Sequence, residues 1–82
     1  MKTMITKEEF CHLTTTPAHC WIFNGAENPT FYVDSDDRIY FNNGVDTLWQ
    51  FMIESDGSIW ASHKGLGPGD MWAGWTDWTD EC

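Results

Sequence analysis

The period of the apolar positions changes along the chain. Over residues 7–14, KEEFCHLT, Phe10 and Leu13 fall on one helical face, while Glu8, Glu9 and His12 are left to water. Thr6 followed three residues later by Glu9 is a capping box, and Ile5 and Phe10 stand where a hydrophobic staple would put them. Thr16 precedes Pro17, which biases the chain out of the α region. The pattern predicts a helix of about two turns, too short to persist without a sheet to pack on.

After Pro17 the pattern becomes that of strands. HCWIF at 19–23 ends in Asn24-Gly25. TFYV and RIYF flank the turn Ser35-Asp36-Asp37, Asn43-Gly44 separates them from LWQFMI, and Ser55-Asp56-Gly57 leads into SIWAS. Hairpins are predicted over about 30–42 and 47–63, in an antiparallel meander of four to five strands counting 19–23, since no connection is long enough for a parallel crossover. The stretches FYVDSDDRIYFNNG and FMIESDGSIWASHKG echo each other, but two copies are too few for a solenoid or propeller. Strict alternation places Phe31, Val33, Ile39, Phe41, Phe51, Ile53, Ile59 and Ala61 beneath the helix. The opposite face receives Tyr32, Asp34, Tyr40, Met52, Glu54, Trp60 and Ser62, a mixture of large aromatics and carboxylates.

Residues 64–82 follow neither pattern. A Gly-rich stretch, HKGLGPGD, precedes MWAGWTDWTDEC, in which Trp72, Trp75 and Trp78 are three apart among Asp77, Asp80 and Glu81. That spacing suits one side of a helix, although Gly74 and the Thr-Asp pairs disfavour one. The segment is expected to fold over the second sheet face, or else to belong to a partner interface.

A chain of 82 residues makes a single small α+β domain spanning 1–82, and its six Trp, five Phe and two Tyr supply a core. The start MKTMITKEEF lacks the apolar centre of a secretory signal, and no apolar run approaches the roughly 20 residues of a membrane span, so a cytoplasmic protein is expected. Cys11, Cys20 and Cys82 are odd in number and too few for a disulfide framework, and are expected to be reduced thiols.

Charge changes the picture most. Four Lys and Arg stand against thirteen Asp and Glu, a formal net charge of -9. Lys2, Lys7, Arg38 and Lys64 are too few and too scattered to hold phosphates, which excludes direct nucleic-acid binding and points instead to a basic partner. Negative charge rises along the chain, from net -3 up to Phe41 to net -6 beyond it. Asp34/Asp36 and Glu54/Asp56 hold the spacing of adjacent same-face side chains at the two turns, so neighbouring hairpins would bring four carboxylates to one edge of the sheet.

Candidate chemistry adds little to this. Cys11, His12, His19 and Cys20 are zinc ligands by type, but their adjacency does not reproduce the usual C-x2-4-C and H-x3-5-H spacings. A calcium loop starting at Asp34 would have Arg38 at its fifth position and Ile39 at its sixth, where an oxygen ligand and Gly are required. No Cys or His lies in a recognisable activating context, and GLGPG lacks the Lys-Ser/Thr of a phosphate-binding loop.

The sequence therefore points to a non-enzymatic binding protein without cofactor or metal. The leading expectation is a phage or mobile-element inhibitor of a nucleic-acid-binding host protein, of anti-CRISPR or anti-restriction type. It would offer Asp34, Asp36, Asp37, Glu54, Asp56, Asp77 and Asp80 as nucleic-acid-mimicking charge, with Tyr32, Tyr40, Trp60, Trp72, Trp75 and Trp78 as aromatic anchors. The alternatives are an immunity protein or antitoxin neutralising a cognate toxin, and a homodimeric assembly module. No membrane partner is expected.

Overall fold

The computed structural model describes residues 1–82. Helix α1 spans Lys7–Thr14, as the capping box predicts, and both of that motif's reciprocal hydrogen bonds are made between Thr6 and Glu9. At its other end Thr15 turns left-handed, with φ of 52°, and the Thr16 N–H donates to the Cys11 carbonyl at 2.9 Å. The buried face is Phe10 and Thr14, whereas Leu13 is 39 % exposed. The expectation that Leu13 packs with Phe10 is corrected: in so short a helix the four-residue pair faces the sheet, and the Thr14 hydroxyl is satisfied by the Phe10 carbonyl at 2.8 Å.

A single antiparallel sheet holds six strands rather than four to five, in the order β1-β2-β3-β4-β5-β6. They are β1 (Thr3–Ile5), β2 (Thr30–Val33), β3 (Ile39–Asn42), β4 (Thr47–Ile53), β5 (Ile59–Gly65) and β6 (Thr76–Asp77). The two additional strands are the short edges: β1 pairs Met4 with Tyr32, and β6 pairs Asp77 with Trp60. Residues 19–23 are not a strand. Trp21–Phe23 form a 3-10 turn lying on the core face, entered by the Cys20 N–H bonding the Pro17 carbonyl at 3.0 Å. A run of three apolar residues cannot by itself separate a strand from a buried turn.

The core is aromatic. The Phe10 ring is fully buried and meets Phe31, Phe41 and Phe51 at 5.1, 5.7 and 5.2 Å between centroids, with Phe23 at 6.0 Å. Of the alternating set, Phe31, Ile39, Phe41, Phe51 and Ala61 are buried and Val33 and Ile59 pack partly, while Ile53 at the end of β4 is 45 % exposed.

The echo resolves into a repeated turn. The Asp34 N–H bonds the Arg38 carbonyl and the Asp37 N–H bonds the Asp34 carbonyl, both at 3.0 Å; twenty residues later Glu54, Ser58 and Gly57 repeat the pattern at 2.8 and 2.9 Å. Asp37 and Gly57 occupy the left-handed position, with φ of 63° and 88°, that lets a type I turn close a twisted hairpin. Asp36 and Asp56 each accept the backbone N–H two residues on, at 3.2 and 2.9 Å.

The C-terminal segment is a strap around the β5 edge. It crosses the outer face, where the Ser62 hydroxyl donates to the Ala73 carbonyl and the Ala73 N–H to the His63 carbonyl. It then pairs as β6 and passes to the opposite face, where Trp78 enters the core at 5 % exposure. The strap ends at a Cys20–Cys82 disulfide with Cα atoms 5.1 Å apart, so the expectation of three reduced thiols is corrected and Cys11 alone is free.

Candidate functional site

The meander decides where the charge goes. Because β2–β3 and β4–β5 are successive hairpins of one antiparallel sheet, with Ile39 opposite Phe51, their two turns lie at the same end of the strands. Asp34, Asp36, Asp37, Glu54 and Asp56 are thus gathered at that end, two strand spacings or about 10 Å from turn to turn. The wrapped C-terminus approaches the same end, since Asp80 and Glu81 line a cleft of about 360 Å³ with Gly57, Ile59 and the C-terminal turn of α1. Asp77 sits beside it on the β5 edge, opposite Trp60.

Little positive charge opposes these groups. Asp34 lies 3.8 Å from the Met1 amino group and Asp36 lies 3.7 Å from Arg38; these are the only ion pairs, and both are solvent-exposed. The three lysines lie over aromatic rings and pair with no carboxylate, Lys2 on Tyr32 at 4.5 Å, Lys7 on Phe23 at 4.3 Å and Lys64 on Trp72 at 5.3 Å, while Arg38, besides pairing with Asp36, lies over Trp75 at 5.5 Å. Asp37, Glu54 and Asp56 have no ion-pair partner, so the end stays net negative.

Hydrogen bonds hold some of these carboxylates in the charged form. The Ser58 hydroxyl, then the Ser58 N–H, keep the Asp56 carboxyl below the usual carboxylate range. The Thr79 hydroxyl and then its N–H do the same at Asp77; at the opposite end of the strands the Asn43 amide and Thr47 hydroxyl lower Asp46 in the same way.

The aromatic residues expected as anchors divide three ways. Tyr32 and Tyr40 stack at 4.9 Å with 11° between planes, and Tyr40 meets Trp72 at 6.5 Å. With Lys2 and Lys64 at its ends, this ladder uses most of its ring faces internally, leaving edges to solvent; burial accordingly pushes both tyrosine hydroxyls up, with each other's or nearby charge adding to it. Trp60 and Trp75 are half-buried on the same side, Trp60 donating its indole N–H to the Ser58 hydroxyl at 3.2 Å. Trp78 is corrected: it is a core residue, 5.1 Å from Phe51, with its indole N–H on Thr16, and it is closed to a partner.

The strap covers only part of the outer face. Gln50 and Ser62, polar residues of the same cross-strand row as the tyrosines, are 5 % and 1 % exposed, whereas Trp72 remains 38 % exposed. Sequence reasoning missed Trp21, whose indole N–H donates to the Glu81 carbonyl at 3.0 Å, and it left Glu81 out of the acidic set. That contact spans 60 residues and no local spacing announces it. Of the four zinc-type residues, Cys20 is bonded to Cys82, and no three His, Cys, Asp or Glu side chains are placed to hold one metal ion. No helix is long and apolar enough to cross a membrane. No family model, curated protein or solved structure matches this chain.

Proposed function

We propose that this protein is a non-enzymatic inhibitor that docks the acidic end of its sheet into a basic groove normally occupied by a nucleic-acid backbone. The observation that carries this reading is the coincidence of two five-residue turns at one end, bearing Asp34, Asp36, Asp37, Glu54 and Asp56, of which only Asp34 and Asp36 have an ion-pair partner. Carboxylates held on hydrogen-bonded turns present charge with little further ordering on binding, and a net negative patch speeds encounter with a basic surface. The edges of Tyr32 and Tyr40 lie on the outer face next to the β2–β3 turn as apolar contacts, with the exposed Trp72 further along the sheet beside Lys64. The biological setting we propose is a phage or mobile-element protein acting on a host defence enzyme of the anti-CRISPR or anti-restriction kind.

The test is affinity capture from host lysate with salt and duplex-DNA competition, comparing wild type with the quadruple variant Asp34→Lys, Asp36→Lys, Glu54→Lys, Asp56→Lys. A captured nucleic-acid-binding protein should be released by salt and by DNA and be lost with the variant. A partner that the charge-reversed protein still holds, or that ignores both competitors, rejects the reading.

A further inference from the structure

We propose that the Cys20–Cys82 disulfide is a redox latch: it pins residues 79–82 beside the acidic end, and its reduction frees them while the rest of the fold persists. Everything up to Trp78 is held by other means. Thr76 and Asp77 pair with β5, the Trp78 N–H donates to the Ile59 carbonyl at 2.8 Å, and the buried indole is anchored on Thr16. Beyond Trp78 the chain has no strand or helix, and its one hydrogen bond to another element is the Trp21 indole N–H on the Glu81 carbonyl. Without the disulfide, four exposed residues with a single anchoring hydrogen bond cannot offset the entropy of staying ordered.

The two sulfurs are also unequally accessible. Cys82 is exposed, whereas Cys20 is 2 % exposed and packed in the aromatic core. An external monothiol, as thiolate, attacks the Cys82 sulfur; the sulfur–sulfur bond breaks, and its electron pair leaves on Cys20, which takes up a proton. A second monothiol attacks the resulting mixed disulfide and releases Cys82 as a thiol. The protein has gained two electrons and two protons, and two monothiols have become one disulfide. Opening the latch uncovers the cleft between the end of α1 and the β4–β5 turn, and withdraws Asp80 and Glu81 from it. The effect on partner binding rests on the proposed function, but the conformational change does not.

The test is backbone and indole amide NMR relaxation on the full chain, oxidised and after treatment with excess glutathione, with Cys82→Ser in parallel. Order parameters of residues 79–82 should fall from about 0.85 to below about 0.6 in the reduced protein and in the variant, with β3–β5 and the Trp78 indole unchanged. Residues 79–82 remaining rigid after reduction would overturn the proposal, because they would be held without the bond. Loss of all dispersed signals would equally overturn it, by making the bond a staple of the whole fold. So would a disulfide that glutathione reduces only in urea. None of these readouts involves a partner, so the latch can fail while the docking reading stands, and the reverse.

Discussion

The indole N–H of Trp78 donates to the hydroxyl of Thr16 at 2.9 Å, joining two buried residues 62 positions apart. The hydroxyl oxygens of Thr16 and Thr14 are hydrogen-bonded to each other at 2.8 Å, so the strap, the end of α1 and the core meet at Thr16. Trp78→Ala should cost about 3–5 kcal/mol, a large part of a domain's stability of about 5–15 kcal/mol. Thr16→Val keeps the shape but leaves the indole N–H unpartnered, and should cost about 1–3 kcal/mol. Chemical denaturation followed by far-UV circular dichroism measures both, and a Trp78→Ala protein as stable as wild type would show that the strap does not lock the core.

The helix offers a contrast between neighbours. Phe10→Ala removes a ring with four aromatic partners and should destabilise by about 3–5 kcal/mol. Leu13→Ala, at a position 39 % exposed, should change stability by less than about 0.5 kcal/mol. Equal effects in denaturant melts would mean that the helix sits on its other face.

Acid should weaken the fold through hydrogen-bonded turn carboxylates. Asp56 titrates lower in the folded chain than in the unfolded one, so the unfolded state binds more protons as pH falls through that interval. Its contribution is complete above the ordinary carboxylate range, near pH 4, and is lost as pH drops toward the folded value. Asp56→Asn keeps an acceptor for Ser58 but has no charge to lose. Its thermal midpoint should therefore fall less steeply below about pH 4 than that of wild type; identical slopes would remove Asp56 from the account.

Loss of the latch should also register as stability. A bond closing 62 positions restricts the unfolded chain by about 4 kcal/mol on the loop-entropy model. Cys82→Ser and reduced wild type should coincide in guanidinium melts, both below the oxidised protein by up to that amount, with the native state still populated in buffer. A Cys82→Ser midpoint equal to that of oxidised wild type would show that the bond adds nothing to the fold.

Much of the scaffold was legible because its signals are local. Thr6 and Glu9 marked the start of α1 through groups three residues apart, and Asp36-Asp37 and Asp56-Gly57 marked two turns by their own backbone bonding. The alternation of Phe31, Ile39, Phe41 and Phe51 chose the core face, because a strand offers only two sides. The acidic end was foreseeable on the same basis, once the two hairpins are adjacent.

What the sequence by itself determined, then, is the helix, the two hairpins, their inner face and the end at which the turn carboxylates gather, all set by interactions within a few residues. Only the tertiary structure decided that Thr3–Ile5 becomes an edge strand, that Trp21–Phe23 coils under the sheet, and that the strap passes from one face to the other. It also decided that Trp78 is core while Trp72 is surface, and that Cys20 meets Cys82. Three tryptophans at equal spacing carry identical local signals. Their fates differ because the chain rounds the β5 edge between Trp75 and Trp78, and the pairing of Thr76 and Asp77 with Ala61 and Trp60 that turns it is a contact between residues far apart in sequence.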